Sequence, residues 1–426
     1  MSHSTSVIRL FFLSLGVGLV ITGTSVQLDS QQFALKDDST VVFYGDSITA
    51  QRLYTRFVEE FVLTRYPTIH VRFVNAGVPG DTTYGGYAGA MAERVKRDVA
   101  PVHPSMITIM LGMNDGGYVP ESPRMDGLFQ AGYRALLAEI RKDSPEAGLT
   151  LILPSPYDEI THGTDFPGYA SVIERNAQDV SEMAETMRIH GDRNVLVADF
   201  HGPLISALEQ ARKQFSQLAP LIVPDRIHPS EAGHWIMAAE LMSTWHVNPV
   251  VSSASLNAGN AAVQSQERTE VTGLEKTDGT LHWMQKDEAL PLPLDLNNAM
   301  TPVLLGISSI ASLDQQMLRI EGLDSGRYQL SIDGKPVAAF SMEELRSGVN
   351  LALYKTPMLD QARGIEWYEE RRATLDQARF VLSAEVKVSA SSSVAEDRLR
   401  DAEDELAATI RTKLSPTAHS FDLRRK

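Results

Sequence analysis

Through residues 36–247, short apolar runs alternate with longer amphipathic stretches, and this alternation constrains the fold more than any other feature. The runs are Val41–Tyr44, Val71–Asn75, Met106–Leu111, Leu149–Leu153 and Val195–Asp199. They are β-branched or Leu-rich, and Gly, Pro or Asp bounds them. Near-continuous apolar character over so few residues suits strands buried on both faces. The stretches between them read as helices: Arg52–Arg65, Gly86–Asp98, Asp126–Lys142, Tyr169–Ile189 and Pro203–Phe215. A last helix, Glu231–Trp245, follows Ser230 as its N-cap. Strand alternating with helix implies a parallel sheet wrapped by helices. Ligands of such folds bind beyond the carboxyl ends of the strands.

Near Pro249 the texture changes. Residues 248–270 are rich in Ser, Ala, Asn and Gln without a clear period, and they read as a linker. Beyond it, 271–415 reads as an accessory β-hairpin and helical subdomain. Leu318–Gly322, Arg327–Ile332 and Pro336–Phe340 are strand-like, and Asp333-Gly334 is a hairpin turn. Ser341 with Glu344 offers a capping box. Helices follow over Met358–Leu382 and Glu396–Leu414, and residues 416–426 read as a loose tail. Trp283, Tyr328, Trp367 and Tyr368 are either core packing for this subdomain or a sugar-stacking surface; packing is the simpler reading.

Three polar blocks fall just after predicted strands, and a fourth precedes the last helix. Gly45-Asp46-Ser47 ends the first, Asn75-Ala76-Gly77-Val78-Pro79-Gly80-Asp81-Thr82 the second, and Gly112-Met113-Asn114-Asp115 the third. Asp225-Arg226-Ile227-His228 precedes the last helix. A Ser hydroxyl needs a base to become a nucleophile. His228 suits that task near neutral pH. Asp225, three residues earlier, can accept the proton of one ring nitrogen and present the other to Ser47, the Ser-His-Asp arrangement. A tetrahedral intermediate also needs preorganised donors. Candidates are the backbone N–H groups of Ser47 and Gly80 and the side-chain amide of Asn114. Each block alone is a common turn; the order of all four, each after a predicted strand in the alternation, carries the reading.

These residues resemble the SGNH (GDSL) hydrolases. Gly45-Asp46-Ser47, Gly80, Gly112-x-Asn114-Asp115 and Asp225-x-x-His228 are similar to that family's four blocks, over about residues 38–245. The resemblance implies a flavodoxin-like three-layer α/β/α domain that hydrolyses esters or thioesters without a cofactor. It implies Ser47, Asp225 and His228 as catalytic residues and Ser47, Gly80 and Asn114 as the oxyanion hole. Lipases, short-chain esterases, thioesterases and carbohydrate acetylesterases all fall within it. A sugar-binding protein on the same scaffold would show a broken triad, and this one is intact.

Composition narrows the rest. The 426 residues carry a formal charge of −15, which disfavours nucleic acid as a partner. No Cys is present, so thiolate metal sites and a Cys nucleophile are excluded. No Gly-x-Ser-x-Gly elbow, P-loop or His-Glu-x-x-His occurs, and no metal is expected. His162, His201 and His234 are isolated; His162 is a candidate to border the pocket. At the N-terminus, Arg9 precedes the apolar run Leu10–Ile21 and then Thr22-Gly23-Thr24-Ser25. Residues 1–25 read as a secretory signal peptide, because the run falls short of the ~20 apolar residues of a span. The expectation is a secreted or periplasmic esterase without a stable membrane anchor. Its substrate is a small-molecule or polysaccharide ester.

Overall fold

Five parallel strands form one sheet in the order β2–β1–β3–β4–β5 in the computed structural model, which describes residues 32–163, 165–385 and 390–426. They are β1 Ser39–Gly45, β2 Val71–Gly77, β3 Met106–Met110, β4 Gly148–Leu153 and β5 Val195–Asp199. The helices around them are α1 Leu53–Arg65, α2 Pro123–Asp143, α3 Tyr169–Ile189, α4 His201–Gln214 and α5 Glu231–Thr244. The doubly buried strands show in the alternation of β1. Val41 and Phe43 enter a core with Phe57, Trp235 and Trp245 of one helical layer. Val42 and Tyr44 enter a second core with Phe129, Tyr133 and Leu136 of the other. Alternate side chains of a strand face opposite ways, so an unbroken apolar run feeds both layers. The result is a three-layer α/β/α domain.

The register sets up a functional edge. Gly45 of β1 lies beside both Gly77 of β2 and Met110 of β3. The loops carrying Ser47, Gly80 and Asn114 therefore leave the sheet side by side. Glycine is required at 77, because a Cβ there would lie 2.3 Å from the amide nitrogen of Ala50. That close approach seats the helical turn Ser47–Ala50 on the end of β2.

One helix differs from expectation. The stretch Gly86–Asp98 is helical only from Met91, and a π-type turn replaces the regular helix over Val95–Val99. Gly85 and Gly86 instead pair with Ala90 and Gly89 in a tight antiparallel bend. Gly85 and Gly89 both take positive φ, a backbone that glycine adopts freely. Ser230 precedes α5 as expected, but its side chain makes no capping bond.

Residues 248–270 are not a linker. They form β6 Val250–Asn257, β7 Ala262–Glu267 and the start of β8 Thr269–Thr277, which pairs with β9 Thr280–Asp287. Within β6 the inward positions include Ser252, Ala254 and Leu256, all buried. Small side chains pack there without a strong hydrophobic signal. Nor are residues 416–426 a loose tail. Three further strands are β10 Gln315–Glu321, β11 Arg327–Ile332 and β12 Lys335–Ser341, with a short β13, Val349–Asn350. The C-terminal strand β14, Ala418–Arg425, lies at the centre of a five-stranded sheet, β8–β9–β14–β11–β12. It buries His419, Phe421 and Leu423 at every second position. A four-stranded sheet, β13–β10–β6–β7, shares one core with the first.

The accessory region is thus larger than 271–415 and built on two sheets. Asp333 and Gly334 join β11 to β12, both with positive φ, as a two-residue hairpin demands. The Ser341–Glu344 capping box is present. Trp283 and Tyr328 are buried, Trp283 stacking on Phe421 at 5.0 Å. Trp367 is half exposed, with the Arg371 guanidinium 3.2 Å from its ring centre.

Two long helices, α6 Pro357–Glu385 and α7 Ala390–Lys413, lie between β13 and β14 in the chain. Helix α6 lies against α1 through ion pairs: Arg52–Asp376 at 3.0 Å, Arg56–Glu370 at 3.0 Å and Arg372–Glu59. Among the described residues, no helix is long and apolar enough to cross a membrane. The expected signal peptide, residues 1–25, lies outside the described residues.

Candidate functional site

Strand β1 delivers Ser47 into the first position of the turn Ser47–Ala50. Asp46 caps this turn, its carboxylate accepting the Ile48 N–H at 3.0 Å. Asp46 is buried, and that burial, with the charges of Asp115 and Asp81 nearby, pushes its carboxyl up to about 7. The Ser47 hydroxyl lies 2.8 Å from His228 Nε2.

His228 sits in the loop before α5. Its Nδ1 is 2.7 Å from Asp225 Oδ2. The other carboxylate oxygen accepts the N–H groups of Ile227 at 3.0 Å and His228 at 2.7 Å. Arg226 between them takes φ 76°, which curls the loop so that both amides face one carboxylate. Partial burial acts to raise the Asp225 carboxyl. The bonds from His228 and Ile227 outweigh it and hold the group below its ordinary range. A carboxylate only accepts, so Nδ1 carries the ring proton and Nε2 is left as acceptor for the Ser47 O–H. This hydrogen-bond chain can remove the serine proton and stabilise the imidazolium that results.

Gly80 follows β2 in a turn with φ 73°, and nothing lies within 4 Å of where its Cβ would be. The turn is held from behind. Buried Arg94 donates to Asp81 and to the Ala76 carbonyl, and its guanidinium lies 4.4 Å from the Tyr44 ring centre. Asn114 follows β3, and its Nδ2 donates to the Asp81 carbonyl at 3.0 Å. Its Oδ1 accepts the Tyr118 hydroxyl at 3.0 Å. Asp115 accepts both the N–H and the hydroxyl of Thr83 at 2.8 Å, lashing the two loops together. Burial pushes Asp115 up to about 6. An amide nitrogen has two protons. One is spent on Asp81, and the other can join the N–H groups of Ser47 and Gly80 in binding an oxyanion.

All five expected residues, Ser47, Asp225, His228, Gly80 and Asn114, thus come from loops at one end of the sheet. Of the isolated histidines, His234 lies on α5, where it accepts the Tyr54 N–H and faces Gln51. Burial holds it neutral, down to about 3. His162 lies in the loop after β4 and bonds the Pro220 carbonyl at 3.1 Å. His201 bonds the Pro154 carbonyl at 3.1 Å. Among the described residues, Asp37, Asp38 and His70 have metal-ligand spacing. They are exposed and precede β1 and β2, at the far end of the strands from Ser47. Two contributors were not read from the sequence: Arg94, hidden in an ordinary helical pattern, and Tyr118, which no motif marks.

Residues 43–236 match the GDSL-like lipase/acylhydrolase family. An acetylxylan esterase of Geobacillus stearothermophilus is 27% identical over 192 residues, 43% of this chain and 77% of that protein. The solved structure of a gut microbial diltiazem-metabolizing enzyme superimposes with a TM-score of 0.76 at 23% identity, covering 93% of this chain and all of the other. The two-sheet accessory region therefore recurs together with the α/β/α domain in one fold. The match to a GDSL-like lipase/acylhydrolase domain over residues 43–236, with the acetylxylan esterase relative, identifies an ester-hydrolysing enzyme.

Proposed function

We propose that this protein is an exported serine esterase that removes acetyl groups from a carbohydrate. The observation that carries the mechanism is the chain Ser47 Oγ–His228 Nε2 at 2.8 Å and His228 Nδ1–Asp225 at 2.7 Å. Ser47 attacks the acyl carbon while His228 takes its proton. The oxyanion is met by the N–H groups of Ser47 and Gly80 and by the free proton of Asn114 Nδ2. His228 then gives the proton to the departing sugar oxygen, which leaves as a hydroxyl. Water, deprotonated by the same imidazole, releases acetate and frees Ser47.

Two points support the substrate class. The acetylxylan esterase of Geobacillus stearothermophilus is a relative by sequence over 192 residues. The site is also open, since the Asp225 side chain is 55% exposed and that of His228 29%. A bulky alcohol can approach such a site, while an extended acyl chain gains little from it. Exposed Tyr84, Tyr87 and Phe166 stand in the loops after β2 and β4, where sugar rings can stack. In an assay of p-nitrophenyl esters of rising chain length beside acetylated xylo-oligosaccharides, acetyl esters are expected to be the best substrates. A preference for chains of eight or more carbons would point to a lipase instead.

Asn114→Ala is expected to lower kcat by ~10²–10³ with KM little changed, because the lost bond forms mainly in the transition state. Steady-state kinetics on p-nitrophenyl acetate decides this, and an unaltered kcat would remove Asn114 from the mechanism. Export rests on the basic, apolar and small-residue order of the N-terminus. Protein recovered from the periplasm or medium is expected to begin near residue 25 on Edman sequencing. A mature, membrane-bound form beginning at Met1 would refute cleavage.

A further inference from the structure

We infer that Tyr118 is a positioning residue for the oxyanion hole, holding and polarising the side-chain amide of Asn114. The inference rests on the reading of Asn114 as an oxyanion donor. An asparagine amide on a loop can rotate, and with the wrong face forward it would present an oxygen to a forming oxyanion. Two contacts oppose that rotation. The Asp81 carbonyl only accepts, so it holds one N–H at 3.0 Å. The Tyr118 hydroxyl donates to Oδ1 at 3.0 Å. Between them they fix both ends of the amide and leave one N–H unspent. A donor at Oδ1 also draws electron density from the amide nitrogen, which strengthens that remaining N–H as a donor, as linked hydrogen bonds do.

The backbone and the packing both indicate that Tyr118 is held in place at a cost. Its φ is 56°, a left-handed conformation that a bulky non-glycine residue seldom adopts. Such strain persists where the surroundings over-determine it. Here they do. The Tyr118 ring stacks on Tyr169 at 4.8 Å between centres and leans on Phe166 at 5.3 Å. The Tyr169 hydroxyl in turn donates to the carbonyl of Met113 at 2.6 Å, the residue before Asn114. Asn176 holds the Gly112 carbonyl at 2.9 Å. Helix α3 thus supports the Asn114 loop from below, and Tyr118 closes the loop over the amide from four residues downstream.

The test is a double-mutant cycle of Asn114→Ala and Tyr118→Phe, read with p-nitrophenyl acetate. Phenylalanine keeps the stacked ring and removes one oxygen. Tyr118→Phe is expected to lower kcat about tenfold, less than loss of the donor itself, with KM changed by less than about twofold. The double variant is expected to be no slower than Asn114→Ala, because the hydroxyl acts only through the amide. A trifluoromethyl ketone, which mimics the tetrahedral oxyanion, is expected to bind Tyr118→Phe about tenfold more weakly, and acetate equally well. An unchanged kcat in Tyr118→Phe overturns the inference. So do losses that multiply in the double variant, or a lowered melting temperature with equal weakening toward both inhibitors. If Asn114→Ala itself leaves kcat intact, the oxyanion assignment fails first, and the two failures are told apart.

Discussion

Ser47→Ala is expected to reduce kcat on acetyl esters by about five to six powers of ten, the order seen when a serine nucleophile is removed from a hydrogen-bonded triad. The protein should remain folded. The Ser47 hydroxyl bonds His228, whose orientation is set independently by three hydrogen bonds from its own loop to Asp225. The turn is held by Asp46 and by the close approach to Gly77, neither of which involves the serine side chain. The residual rate should come from the oxyanion donors acting on bound water. His228→Ala should fall nearly as far, and the double variant no further, because the two act as a unit. Kinetics on p-nitrophenyl acetate, with circular dichroism as a check on folding, measures this. Mass spectrometry after a fluorophosphonate should find the label on Ser47 of the parent and none on the variant. Ser47→Ala retaining more than about one per cent of parental activity would disprove the nucleophile assignment.

The catalytic domain was legible because its signals are strong and local. Strands buried on both faces read as apolar runs, and the polar blocks that interrupt them mark where each strand ends. Gly45, Gly77 and Met110 lie abreast in the sheet, so blocks far apart in sequence meet in space. The accessory region was legible only where turn chemistry is sharp, as at Asp333-Gly334 and Ser341–Glu344. Strand β6 buries Ser252 and Ala254, residues that carry little hydrophobic signal. Strand β14 hides its period among His419, Asp422 and two arginines, and its place is fixed by pairing with β9 and β11, at least 132 and 89 residues away. Tyr118 was unreadable for a different reason. Its contact depends on a left-handed backbone that no propensity favours at a tyrosine.

A chain truncated after Asn248 is expected to be insoluble or to melt far below the full-length protein, although every residue assigned to catalysis precedes the cut. The segment after β9 does not merely touch the catalytic domain; it completes its core. Leu292, Leu294, Val303, Leu304, Ile307, Ile310 and Leu313 belong to the same buried cluster as Phe57, Trp235 and Trp245. The short helix Thr301–Ile307 packs on α4 and α5. At ~1.5–3 kcal/mol for each fully buried aliphatic side chain, this cover contributes on the order of 10 kcal/mol, comparable with the whole stability of a typical domain. The cut also strands a charge. Arg65, at the end of α1, is fully buried and pairs with equally buried Asp314 at 2.8 Å. Burial pulls the guanidinium down to about 10 even with that partner. Asp314 also accepts the Leu292 N–H at 3.0 Å, so one carboxylate ties α1 to the accessory segment. Asp314→Ala in the full chain isolates the electrostatic part, and its loss should cost about 3–5 kcal/mol. Thermal and urea melts of the truncated chain, of Asp314→Ala and of the parent separate the two contributions. A soluble, fully active truncated chain melting with the parent would show that the catalytic domain is self-sufficient and that the two-sheet region is an independent module.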